Sequence, residues 1–287
     1  MFKIYDLNYN EVNFPIDELG YGMKTPDNIG FDIQIGSVIY ENIYHQSSYT
    51  DKLIKRYPKD RDVNIVLSVV GMDETDLRLK RSEVYAFFRQ LGVFYVAEEA
   101  QPFKLLKVTI DAGYNIEELN AVWGRAEIPL KVVDTPFRQS LHTTLDIDQE
   151  GVQSNNKWAY GMGLSGDEEQ WKYSFSGTDP VFFNAGTEEI KLIQQKESEI
   201  TLTFHSASTN PLVDIDDGTT VFKLFKSVAS GDVLKIKGNS VTLNGQNVIA
   251  DTNYTFLTVK TGWNNWDIRG IPGHDFEFKI DFRFLYD

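Results

Sequence analysis

Beyond about residue 145 the chain shows no helical period. Short β-prone runs recur there at roughly ten-residue spacing: "WKYSFSG", "EEIKLIQ", "EITLTFHS", "TVFKLF", "DVLKIKG", "SVTLNG", "YTFLTV", "WDIRG" and "FEFKIDFRFLYD". Gly, Asn, Asp and Pro stand between them. Runs of this length, punctuated in this way, are the pattern of an antiparallel β-sandwich. Cys is absent from the 287 residues, so no disulfide, thiolate metal site or Cys nucleophile is available. The sandwich must hold by packing alone.

The first half is mixed. "MFKIYDLNYNEVNF" alternates Phe2, Ile4 and Leu7 with polar residues and turns at Asn8–Asn10, a short hairpin. "NIGFDIQIGSVIYENIYH" reads as a second hairpin, with Phe31, Ile33 and Ile35 on one face and a turn at Gly36–Ser37. Val63, Ile65, Leu67 and Val69 alternate as a half-buried strand. Leu77, Val84, Phe88 and Leu91 follow a 3.6-residue period, with Asp73 or Thr75 as cap and Gly92 as stop. They predict one helix at about 75–91. "VFYVA", "FKLLKVTI" and a strand that Pro129 marks as edge or bulge complete this half. The expected architecture is mainly β: residues 1–145 form a mixed α+β domain with one helix, and residues 146–287 form the sandwich. The polar stretch Thr143–Asn156 is the expected boundary.

Net charge is −14. Residues 1–145 hold 16 basic and 21 acidic side chains, and residues 146–287 hold 12 and 21. Such a surface repels phosphate backbones, so nucleic-acid recognition is not expected. "MFKIYDLNYNEV" lacks a long apolar core and a cleavage site, so no signal peptide is expected. No apolar run approaches the ~18 residues of a membrane span, so no membrane insertion is expected.

The motifs of chemistry are weak. Gly161, Gly163 and Gly166 fit G-x-G-x-x-G, but no apolar strand precedes them and three acids follow, which would repel a pyrophosphate. Asp146–Gly151 imitates the start of a calcium loop, yet the twelfth position is Lys157, not Glu. His45, His142, His205 and His274 stand far apart, with no H-E-x-x-H, and no G-x-S-x-G is present. Carboxylates abound, and nothing selects a catalytic pair. A non-enzymatic protein without cofactor or metal is expected. Lys55, Arg56, Lys59 and Arg61 form a basic cluster broken by Asp residues, which suits a charged hairpin face or a subunit contact.

"TVKTGWNNWDIRG" brings two tryptophans and two asparagines together. Period two sets Trp266 and Ile268 on one face, which makes Trp266 a core residue. Gly262 and Asn264 suit a turn that exposes Trp263 and Asn265, the candidates for contact with a partner or a glycan. Trp158 and Trp171 are further candidate stacking platforms.

The order of these segments resembles the distal tail proteins of siphophages that infect Gram-positive bacteria. In the first half the likeness rests on "KRYPKDRDVNIVLSVVG", "RSEVYAFFRQLG", "VFYV" and "DTPFRQSL". In the second it rests on "FFNAGTEEIKLIQQ", "ITLTF", "DVLKIKGNSVTLNGQNVI" and "FLTVKTGWNNWDIRG". Thr261 stands where many members carry proline. The glycine after it supplies the permissive backbone, so the departure puts little in doubt. The resemblance implies a homohexameric ring built by the first domain, a β-barrel-like fold with one helix, and a galectin-like sandwich projecting outward. It implies a non-enzymatic hub in the virion tail tip, assembled in the bacterial host cytoplasm. The implied partners are the tail tube protein, the tail-associated lysin and receptor-binding or fibre proteins. A ring subunit needs heterologous contacts, and the long aromatic hairpins are suited to make them. Ile33, Ile35, Ile39, Tyr40, Arg56, Lys59 and Arg61 are the candidate inter-subunit residues, with the segment Ile33–Tyr44 expected to reach a neighbour. The alternative is a carbohydrate-binding module that recognises host cell-wall glycan through the sandwich.

Overall fold

A computed structural model describes residues 2–14, 31–46, 50–152, 157–159, 161–208 and 212–287. Its contacts gather into two compact units, Met1–Arg138 with Asp287, and Gln139–Tyr286.

In the first unit β1 (Phe2–Tyr5) and β2 (Glu11–Val12) pair as the expected hairpin. Its turn is held by the Asp6 carboxylate, which accepts from the N–H groups of Asn8 at 2.8 Å and Asn10 at 2.9 Å. β3 (Phe31–Gln46) and β4 (Asp51–Val70) form one long antiparallel ribbon, with Phe31 opposite Leu67 and Gln46 opposite Asp51. The turn expected at Gly36–Ser37 is therefore a β-bulge: Ile35 faces Val63, Val38 faces Arg61, and two residues are accommodated between them. Gly-Ser suits a bulge as well as a turn, and the continuing partner strand decides the matter. Then follow α1 (Glu74–Leu91), β5 (Val93–Glu98), β6 (Lys104–Thr109), β7 (Glu117–Asn120) and β8 (Trp123–Val132). The sheet order is β2-β1-β5-β6-β8-β4-β3, with β7 also on β8. Pro129 sits opposite Asn64 in a part of β8 whose only strand partner among the described residues is β4. On the side of β8 away from β4 a missing N–H costs no ladder bond, which is the setting in which a strand tolerates proline.

The helix is capped as its sequence dictates. The Asp73 carboxylate accepts from Asp76 N–H at 2.8 Å, and Gly92, at φ 62°, ends it. α1 lays Leu77, Val84 and Phe88 on a core shared with Val63, Ile65, Leu67 and Val69 of β4. Burial of such side chains is worth ~1.5–3 kcal/mol each before entropy is counted, so the helix stands by packing rather than by propensity.

β9 (Arg138–Ser140) begins on the last residue of the first unit's main segment. The second unit goes on with α2 (Thr144–Glu150), β10 (Ser174–Ser176), β11 (Val181–Asn184), β12 (Ile190–Lys191) and β13 (Glu199–Phe204). Next are β14 (Val213–Asp216), β15 (Val221–Leu224), β16 (Val233–Lys237), β17 (Ser240–Leu243), β18 (Gln246–Asn247) and β19 (Thr258–Val259). β20 (Gly262–Asn265), β21 (Asp267–Arg269), β22 (Phe276–Asp281) and β23 (Leu285–Tyr286) complete it. One sheet runs β10-β22-β13-β16-β17-β18, and shorter sheets join β11 to β20, β12 to β19, and β15-β14-β21. The strand pairings within these four sheets are antiparallel. Every run named in the second half holds a strand. The strict alternation of Ile200, Leu202 and Phe204 on β13, and of Phe276, Phe278 and Ile280 on β22, buries one face of the large sheet. The layers meet where Trp266 packs against Phe182 at 5.1 Å and Phe278 at 6.1 Å between ring centres. The chain is mainly β, and α1 is its one long helix among the described residues.

Asp146–Gly151, which imitates a calcium loop in sequence, is helical as far as Glu150. Its carboxylates already have work: Asp146 accepts from Thr143 N–H at 2.8 Å, and Asp148 from Tyr173 N–H at 3.1 Å.

Candidate functional site: the arm and the Trp263 face

β8 pairs β4 no further than Val63. Beyond it, residues 51–61 of β4 pair only with residues 38–46 of β3 among the described residues. This is a two-stranded arm about 30 Å long, at ~3.3 Å per residue. A two-stranded ribbon is marginal in water, and this one displays apolar side chains. Ile54 is 62% exposed, and Ile39, Ile43, Tyr44 and Leu53 are exposed as well. Local contacts stiffen it. Arg56 lies over the Tyr40 ring at 4.0 Å, and Lys55 over Tyr57 at 5.4 Å. Lys59 pairs with Glu41 at 2.8 Å. The hydrogen bonds from Lys59 and Tyr57 hold the Glu41 carboxyl below its usual range. Asp60 is bound to Lys131 of β8, which ties the arm's base to the sheet.

The seven sequence candidates are thus distributed. Ile39, Arg56 and Lys59 stand exposed on the arm, and Tyr40 is half-buried beneath Arg56. Ile33 lies in the unit's own core, and Ile35 packs against it. Arg61 is 3% exposed and ion-paired to Asp287. The alternation that buries Val63 and Ile65 extends back to Arg61, so period two carried the signal for its burial. Ile43 and Tyr44 fall within the segment Ile33–Tyr44 expected to reach a neighbour, whereas Leu53 and Ile54, on the opposite strand of the ribbon, are exposed residues outside that expectation.

On the second unit, β20 pairs β11 with Trp263 opposite Phe183 and Asn265 opposite Val181. Trp263 is 50% exposed, its ring edge-on to Phe183 at 5.3 Å, and Asn265 is exposed. They belong to the outer face of a strand rather than to the tip of a turn. The turn lies just before. Gly262 has φ 78°, and the buried Asn264 side chain accepts from Lys260 N–H at 2.9 Å and donates to Lys260 C=O at 2.9 Å. Trp266 is fully buried, as the alternation demands. Trp158 is buried against Phe284, and Trp171 donates to Ser165 C=O at 3.0 Å.

Gly161 and Gly163 adopt φ of 83° and 77°. A Cβ at Gly163 would meet the Ala185 carbonyl oxygen at 2.3 Å. The glycine-rich stretch is therefore a turn that packs closely at Gly163 and is open at Gly161 and Gly166, followed by a short 3-10 turn, Glu168–Trp171. Among the described residues no three His, Cys, Asp or Glu side chains come together as a metal site. No described helix is long and apolar enough to cross a membrane.

No protein-family model matches the chain, and no curated protein matches it. Solved structures do. The Dit protein of phage SPP1, a paradigm of the hub adsorption apparatus in Gram-positive-infecting phages, is matched over 99% of this chain and 100% of that one. The TM-score is 0.63 and the identity 10%. The phage p2 baseplate in its activated conformation is matched more loosely. With strontium the TM-score is 0.40 at 14% identity, and with calcium 0.38 at 13%; each covers 98% of this chain and 97% of that one. At such low identity the likeness is one of fold, and over nearly its whole length the chain shares the fold of a phage tail hub protein.

Proposed function

We propose that the chain is a structural virion protein, the hub of a siphophage tail tip. Six copies form a ring that joins the tail tube to the tail-associated lysin and the receptor-binding parts of the baseplate. The observation that carries this reading is the arm. A ribbon that presents Ile39, Ile43, Tyr44, Leu53 and Ile54 to solvent needs a cover, and heterologous contact with a neighbouring copy gives one while leaving each subunit with the same free face for the next. The whole-length fold likeness to the SPP1 hub supports the same reading. Its test is mass in solution by light scattering over a concentration series, alone and with the tail tube protein of the same virion. The hub reading requires a six-copy species in at least one condition, and Ile43→Asp with Ile54→Asp must abolish it. A six-copy species that survives both substitutions removes the arm from the interface. Monomer in every condition removes the hub.

Glycan recognition by the sandwich is a second reading, and Trp263 favours it. A half-exposed indole edge-on to Phe183, with the Asn265 amide on the same strand, offers stacking and hydrogen bonding together. Binding on an array of wall teichoic acids and peptidoglycan fragments, lost with Trp263→Ala, supports it; silence across the array ends it.

A further inference from the structure

The first unit holds an open polar cavity of about 410 Å³, lined by Ile35, Gly36, Ser37, Arg61, Glu98, Gln101, Arg138 and Asp287. Three features set it apart from surface relief. The bulge in β3 forms one wall, where Gly36 and Ser37 lack opposite residues in the ladder. Bulges often accompany sites because they re-aim side chains. Two guanidinium groups converge on it. Arg61, nearly fully buried, binds the Asp287 carboxylate. Arg138 donates to Glu98 at 3.0 Å and to the Asp287 carbonyl at 2.6 Å. The Nε atoms of both are buried and lack a partner among the described residues. Burial, with Arg138 beside it, holds the Arg61 guanidinium below its usual range. Lys104 is also buried, with Arg138 and Glu98 as electrostatic neighbours.

Two lining cations face two lining carboxylates, and one of those carboxylates differs in kind. Glu98 is fixed in β5, whereas the Asp287 side chain is 55% exposed and reaches the cavity from its rim. Without that charge, Glu98 would be the one carboxylate left among the cavity's lining residues, against Arg61 and Arg138. Buried guanidinium groups with unused N–H donors recognise oxyanions, which offer several acceptor oxygens at once.

We infer that this cavity is an oxyanion site, shaped for a carboxylate or phosphate group, and that the Asp287 side chain fills it as a resident competitor. Ser37 and Gln101 supply neutral donors at its wall. The site serves a ligand that displaces Asp287, and the strength of the Arg61–Asp287 pair sets its threshold.

The test titrates the full chain and its Asp287→Asn variant with inorganic phosphate and, separately, with acetate. Calorimetry is run at constant ionic strength with chloride as the balancing anion. The variant is expected to bind one anion per chain at least about tenfold more tightly than the parent, and the better of the two anions names the group. Adding Arg138→Gln to Asp287→Asn is expected to abolish binding with the melting curve retained. Should that double variant fail to fold, Ser37→Ala in the Asp287→Asn background is expected to weaken binding about threefold, the loss of one neutral hydrogen bond. No saturable binding by Asp287→Asn, equal binding by variant and parent, or binding indifferent to the added substitution would overturn the inference.

Discussion

The Arg56 guanidinium lies 4.0 Å from the centre of the Tyr40 ring, across the two strands of an arm that no third described strand supports. An exposed cation–π contact of this kind is worth ~0.5–1 kcal/mol. In a marginal ribbon that is enough to bias its order. Arg56→Ala is therefore expected to raise amide hydrogen exchange at Val38–Gln46 severalfold, with no change at Val63–Val69. Uniform exchange across both segments would show that the contact does not order the arm.

Exposed arm residues should contribute little to the stability of the single chain. Ile43→Asp and Ile54→Asp remove no core contact, so each should change the unfolding free energy by less than about 0.5 kcal/mol. Urea titration of the monomer checks this. A loss of several kcal/mol would mean that the arm packs against its own subunit.

The two tryptophans of the opening motif should behave in opposite ways. Trp266→Ala empties a buried site between Phe182 and Phe278 and is expected to cost ~3–5 kcal/mol. Trp263→Ala loses one edge contact with Phe183 and should cost about 1 kcal/mol or less. Urea unfolding of the two variants tests the difference, and equal losses would contradict the strand register.

Gly161 and Gly163 share a left-handed backbone but not a neighbourhood. A Cβ at Gly161 meets nothing within 4 Å, whereas at Gly163 it strikes the Ala185 carbonyl. Gly161→Ala should cost about 1–2 kcal/mol from backbone strain alone. Gly163→Ala should cost distinctly more, because two backbone segments must part. Thermal melts of the two variants give the comparison.

Asp217 offers a pH test. Burial disfavours its charged form, but the N–H groups of Thr220, Thr258 and Thr219 and the Thr220 hydroxyl donate to it, and its pKa is lowered on balance. A folded-state pKa below the unfolded value gives stability that is complete above the unfolded pKa of about 3.9 and fades as pH falls through the folded one. Asp217→Asn should thus destabilise the protein at pH 7 by ~1–3 kcal/mol. The gap to the parent should narrow below about pH 4. A gap independent of pH would assign the effect to shape rather than charge.

Much of the fold was legible because local pattern and final burial agree. The alternation Val63–Val69, the caps Asp73 and Gly92, and the placement of Trp266 opposite the exposed Trp263 all follow from period and turn chemistry. What local pattern could not supply was the choice between partners. Gly36–Ser37 carries the residues of a turn, and only the length of β4 makes it a bulge. Val181–Asn184 becomes a strand through its pairing with Gly262–Asn265, some eighty residues on. Asp146–Gly151 has the oxygens of a calcium loop, but Thr143 and Asp146 start a helix there. In sequence Arg61 reads as part of a charged face, because charge masks the alternation that turns it inward.

The central claim is a closed ring of this chain, and electron-microscope images of the purified protein, alone and co-expressed with the tail tube protein, test it most directly. Six-fold rings with a central opening, lost when Ile43 and Ile54 are replaced by aspartate, are the expected result. Single particles with no ring in either preparation would contradict the hub.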